Sequence, residues 1–348
     1  MTDQFLKSPI FALSKPANQN LMAIELYNPF DELIFDESFC FLTGKLSLES
    51  VSVFPEWLLD HFKIGDDQFE MMEKEKIFRY RDLRLPCTSE VKNAFDELDE
   101  KFREAYQKGY EGIAALEEEL IFQWSAKIVY GIMHHEFQHE KKRMARRGEE
   151  FQISKDLKER FGLFHMMLQS VIKPVKFKGR KPWSLVVVPL KYSADIFSYR
   201  DDMINLLFTM GVDQFGFIIH MQDNGAIAER EQELLEKMKG HVLHPVQYEE
   251  LYAKFHYSDY LLQYRPKYNI EYTDNQVIIE SVPMSADQNR PLFGFWDQKV
   301  YAQLLANYWE VYGIRQEDII RHQRPMLSFL QDPYSNEFID PEKIDLPF

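Results

Sequence analysis

Cysteine is scarce in this chain: 348 residues carry two. That excludes a disulfide scaffold and sets the expectation of a reducing compartment, the cytosol. No run of about 18 apolar residues occurs, so no membrane span is expected. Residues 1–16 lack the basic-then-apolar layout of a secretory signal. Positive charge is in deficit: 41 Lys and Arg stand against 56 Asp and Glu, a net charge of −15. That balance opposes a sequence-blind grip on nucleic acid but leaves room for one local basic groove. Internal repeats, low-complexity tracts, a Gly-rich phosphate loop, a dinucleotide fingerprint and a G-x-S-x-G elbow are all missing. Large apolar side chains are abundant instead. Hydrophobic residues make up 45% and aromatics 15%, including 28 Phe and 18 Tyr. This excludes a disordered chain and supplies a sizeable core.

Patterning predicts an α+β protein. Residues 1–20 read as an extended lead-in. Residues 40–55 read as strand, turn and strand, and residues 55–62 as a short helix carrying Trp57, Leu58 and Phe62. Residues 78–85 alternate as a strand. Thr88 or Ser89 then caps a helix whose apolar positions, Val91, Phe95, Leu98, Phe102 and Ala105, recur every three or four residues. Residues 113–147 predict a second helix, apolar on more than one face between 121 and 137, which places it inside the core. Ser154 caps a third. Residues 173–182 read as a basic linker. Beyond it come strands at 183–190 and 215–221, helices at 226–239, 245–262 and 297–312, a hairpin around Asp274-Asn275, and an acidic tail at 332–348. The expected division is an N-terminal region over 1–110, core helices over 111–175 and a mixed α/β region over 176–348.

Both cysteines stand in turn-like contexts. Cys40-Phe41-Leu42-Thr43-Gly44 has the outline C-x-x-C-G, with Thr43 in the second cysteine's place. Cys87-Thr88-Ser89-Glu90 follows Leu85-Pro86 with Glu90 in that place. Between them runs Val53-Phe54-Pro55-Glu56-Trp57-Leu58-Leu59. This stretch, over residues 39–107, resembles the zinc-knuckle branch of the HNH endonucleases. The resemblance implies a ββα unit in which four cysteines hold a structural zinc and a strand histidine activates water. An imidazole suits that task near neutral pH, and a divalent metal stabilises the leaving phosphate oxygens. Here Ser52 aligns with the base and Thr43 is no zinc ligand. Cys40, Cys87 and Glu90 make three ligand-type residues where four are needed, and Lys92 and Asn93 do not restore the family's metal arrangement. The resemblance therefore implies a degenerate knuckle and a unit without nuclease chemistry. On the residues alone, Cys40 and Cys87 read equally as small buried hydrophobes.

A second motif lies on the predicted core helix. His135-Glu136-Phe137-Gln138-His139 fits H-E-x-x-H, in which His135 and His139 share a helix face and reach one zinc, with Glu136 as base. Glu140, Lys141 and Lys142 follow directly, so this helix emerges into solvent, and no second motif supplies a third ligand. The competing reading packs Trp124, Ile128, Gly131 and His135 as one stripe, with His139 at the surface. Two basic clusters, one containing Arg146 and Arg147 and one containing Lys178 and Arg180, offer a nucleic-acid groove or, more simply, a charged helix end and a solvated linker. The expected function is a non-catalytic relic of an HNH-type nuclease, without cofactor, that binds or scaffolds a nucleic acid or a protein partner. The alternative is a zinc-dependent hydrolase built on His135, Glu136 and His139.

Overall fold

Apolar runs with a period near 3.6 become helices here, and short β-branched or aromatic runs become small sheets, so the class is α+β. The computed structural model describes residues 24–72, 77–284, 290–321 and 324–346; the lead-in over 1–20 lies outside them. Strand β1 (Glu49–Ser52) is followed by helix α1 (Glu56–Phe62) and by β2 (Gln68–Phe69) and β3 (Phe78–Arg79), which pair with each other. Strand β4 (Arg84–Cys87) then returns antiparallel to β1, with Glu49 opposite Cys87 and Ser52 opposite Arg84. Helix α2 (Ser89–Tyr106) starts at once, its Val91 N–H capped by the Thr88 hydroxyl. After α3 (Gly109–Ala114) comes the 29-residue α4 (Glu118–Arg146).

Burial explains the composition of α4: from Ile121 to Phe137 almost every side chain is inside. Trp124 stacks on Phe102 of α2 at 3.9 Å, and Lys127, fully buried, places Nζ 2.7 and 2.8 Å from the Asp99 carboxylate oxygens. Gly131 lets α4 approach β1: a Cβ there would lie 2.5 Å from Val53 Cγ2. Helix α5 (Lys155–Leu168) closes this first core, capped by Ser154.

A four-stranded antiparallel sheet separates two cores. It is formed by β6 (Ser184–Pro189), β7 (Phe197–Asp202), β8 (Leu207–Val212) and β9 (Phe215–His220), in the order β6-β9-β8-β7. Side chains alternate along the strands, as the pleat requires. Phe208, Met210, Phe217 and Ile219 join the first core, whereas Leu207, Ile218 and Val188 face the second. The second core is completed by α6 (Ala226–Arg230), α7 (Gln232–Met238), α8 (Pro245–Leu261), α9 (Gln298–Trp309) and α10 (Gln316–Ile319). Tyr248 of α8 lies against Gly216, where a Cβ would be 2.5 Å from its ring; its hydroxyl donates to the Phe217 carbonyl at 2.8 Å.

Several expectations change in detail. The helix over 113–147 breaks between α3 and α4. Residues 226–239 form two helices, interrupted at Glu231. The strand over 78–85 is divided by a 3-10 turn, Tyr80–Asp82. Part of the basic linker is itself a strand, β5 (Val175–Lys178). It pairs in parallel with β11 (Val277–Ser281) of the hairpin whose other strand is β10 (Tyr268–Tyr272). Among the described residues, no helix is long and apolar enough to cross a membrane.

Candidate functional site

The two cysteine turns are neighbours. Gly44 N–H donates to the Cys40 carbonyl at 2.9 Å, closing the first turn with Gly44 at φ +67, and Phe41 N–H donates to the Pro86 carbonyl at 2.8 Å, joining it to β4. Both thiols are free and buried. Burial first, and the neighbouring Cys40 second, push the Cys87 thiol up to about 12, so it remains protonated. Glu90 is exposed in the first turn of α2, and the Thr43 hydroxyl accepts the Lys45 N–H at 3.4 Å. Two buried thiols, a hydroxyl and an exposed carboxylate do not make the four-ligand set of a closed tetrahedral zinc site.

Ser52 sits near the end of β1 with its polar neighbours already engaged. Arg84 Nη1 donates to Ser52 Oγ at 2.9 Å and to Glu56 Oε1 at 3.0 Å, while Arg84 Nε donates to Ser50 Oγ at 2.9 Å. Ser52 Oγ also donates to Glu56 at 3.2 Å. The Arg84 hydrogen bond, working against burial, lowers the Glu56 carboxyl below its usual range. The cluster is an ion-pair network at the end of β1 in which the Glu56 carboxylate is already engaged by Arg84 and Ser52.

On α4 the H-E-x-x-H residues face different surroundings. His135 Nε2 lies 3.0 Å from the Arg84 carbonyl oxygen, so that nitrogen carries hydrogen and has no lone pair for a metal. His135 and His139 both lie against the Phe78 ring, at 6.1 and 6.3 Å between centroids. Glu136 is buried and accepts the Met72 N–H at 2.7 Å. The neighbouring His134 is held neutral by burial, its pKa lowered to about 3. Among the described residues, no three His, Cys, Asp or Glu side chains group as a metal site requires.

The basic clusters do not meet. Lys181 pairs with Glu118 at the start of α4 at 2.7 Å, and Arg146 and Arg147 lie at its other end, about 42 Å away by helical rise. Lys178 pairs with Glu280 at 2.9 Å and Arg180 with Glu229. Arg146 and Arg147 are exposed. A single groove lined by both clusters is therefore not what the fold builds.

A cleft that the sequence reading did not anticipate opens at the edge strand β7, between the two cores, with a cavity of about 590 Å³. Four carboxylates line it: Glu70, Glu136, Asp201 and Asp202. Tyr80 and Tyr199 come from the first core's side, and Tyr252, His256 and Tyr308 from the second. Asp202 accepts from the Ile204 and Asn205 backbone at 3.0 Å each and lies 3.4 Å from His256 Nε2. His256 Nδ1 lies 2.6 Å from the Tyr308 hydroxyl. Burial would raise Asp202, but its bonds to His256 and Asn205 prevail and bring it down to about 2. Asp201 has no such support. Burial, opposed only in part by the Tyr199 hydroxyl, raises it to about 6. Polar residues ending an otherwise aromatic strand, Tyr199-Arg200-Asp201-Asp202, were the available signal for this cleft.

No family model, curated protein or solved structure matches the chain.

Proposed function

We propose that this chain keeps the framework of a zinc-knuckle HNH nuclease without its chemistry. In this reading it works in the cytosol as a binding or scaffolding protein, without cofactor, and takes a protein partner in preference to nucleic acid. The observation that carries the proposal is the unit joining the Cys40 turn, β1, β4 and α2. It sets Cys40 beside Cys87 while Arg84 and Glu56 enclose Ser52, where the nuclease base would stand. A serine in such a network cannot deprotonate water near pH 7. The net charge of −15, the pairing of Lys178 and Arg180, and the separation of the basic clusters favour protein over nucleic acid.

The test incubates the full chain with labelled single- and double-stranded DNA and RNA in Mg²⁺ or Mn²⁺ while binding is followed across salt. The reading expects intact substrates and no salt-dependent complex. Cleavage that disappears in Ser52→Ala would overturn it. A salt-sensitive complex weakened by Arg146→Ala with Arg147→Ala would move the partner to nucleic acid. The zinc-hydrolase alternative rests on the spacing of His135, Glu136 and His139. Stoichiometric zinc in purified protein, lost on His135→Ala, would establish it over the scaffold reading.

A further inference from the structure

The cleft at the end of β7 belongs to other elements than the cysteine unit, and its chemistry is one-sided. Asp201 is partly buried there, hydrogen-bonded to the Tyr199 hydroxyl, with no basic side chain paired to it among the described residues. Arg200, the one guanidinium among the described lining residues, is engaged by the buried Glu249, whose other oxygen also accepts from Tyr192 and Ser198. His256 is committed to Asp202 and Tyr308. The tyrosines stay neutral, because burial raises every one of their hydroxyls above the usual range. Among the described residues this leaves Asp201 as a carboxylate without a paired cation, in a partly enclosed space walled by aromatic rings. A carboxylate draws a cation more strongly in such surroundings than in open water, and ring faces add to that attraction. The wall already takes one cation: the Arg200 guanidinium lies over the Tyr308 ring at 5.2 Å.

We infer that this cleft binds an alkylammonium group, supplied by a free polyamine or by a lysine side chain of a protein partner, with Asp201 as its counter-charge and the tyrosine rings as its walls. The inference goes beyond the scaffold reading and uses none of its residues, so either can fail alone.

Calorimetric titration of the full chain tests it, with spermidine as one probe and a short lysine-containing peptide, against its acetyl-lysine counterpart, as the other. The expected result is one saturable site per chain, weakened about tenfold or more by Asp201→Asn. Glu236→Gln, which removes an exposed carboxylate elsewhere, should leave it unchanged. The acetylated peptide should not bind. Binding of the peptide without spermidine assigns the site to a partner's lysine, and the converse assigns it to a polyamine. Asp201→Asn is isosteric and removes a charge from a buried place, so folding is not at risk. The inference is overturned if neither probe gives a saturable site. It is equally overturned if Glu236→Gln weakens binding as much as Asp201→Asn, which would mean attraction to net charge alone.

Discussion

Asp201→Asn makes a prediction about stability as well as binding. In the unfolded chain an aspartate titrates near 4, and in the fold burial raises Asp201 to about 6. Between those values the folded chain holds a proton that the unfolded chain has released. Stability from this group is thus fully present below about pH 4, falls as pH rises towards 6, and is lost above it. The two-unit gap sets a ceiling of about 3 kcal/mol. The groups lining the cleft with this carboxyl include Tyr199, Asp202, Tyr80, Tyr252, Glu70, Glu136 and His256; with Arg200 taken by Glu249 and His256 by Asp202, no basic side chain among the described residues pairs with Asp201. Asparagine keeps the shape and still accepts from the Tyr199 hydroxyl but cannot ionise. At pH 7.5 the variant should therefore be the more stable protein, by up to about 3 kcal/mol, or about 4 °C in Tm for a chain of this size. Near pH 4 the gap should close. Paired thermal melts of both proteins across pH 4 to 8 read this directly, because groups that titrate alike in both cancel. A variant equally or less stable at pH 7.5, or a gap independent of pH, would refute the reasoning. Gain of stability with loss of amine binding is the trade expected of a functional site.

Two further substitutions test the packing. Gly131→Ala puts a Cβ 2.5 Å from Val53, so α4 and β1 must part; urea unfolding should show a loss of about 1–3 kcal/mol, relieved when Val53→Ala is added. Lys127→Ala leaves Asp99 buried without its cation and should cost about 3–5 kcal/mol, measured the same way.

Much of the helical architecture was legible because its causes are local. The caps at Thr88 and Ser154 and the three-four spacing of Val91 to Ala105 need no distant partner. The all-apolar middle of α4 announced its burial. Pairings that join distant segments were not legible. Strand β1 meets β4 across more than 30 residues, and β5, whose lysines face outward beside Val175 and Phe177, reads as a linker until β11 lies beside it. Strand β7 escaped notice because Arg200, Asp201 and Asp202 break its apolar rhythm. Those same residues line the cleft, so site and missed strand share one cause. The fate of Glu136 was hidden likewise: spacing places it beside two histidines, whereas the helix turns it towards Met72 and the cleft.

The proposed relic reading requires the Cys40 and Cys87 turns to converge as a knuckle does, and rebuilding the missing ligands tests that most directly. Thr43→Cys with Glu90→Cys places four thiols at the positions that the HNH resemblance assigns. Titration with Co²⁺, followed by its thiolate absorption, should then show one tetrahedral ion per chain, absent from the unaltered protein. Failure of the folded double variant to bind an ion, or binding no different from the unaltered chain, would contradict the account.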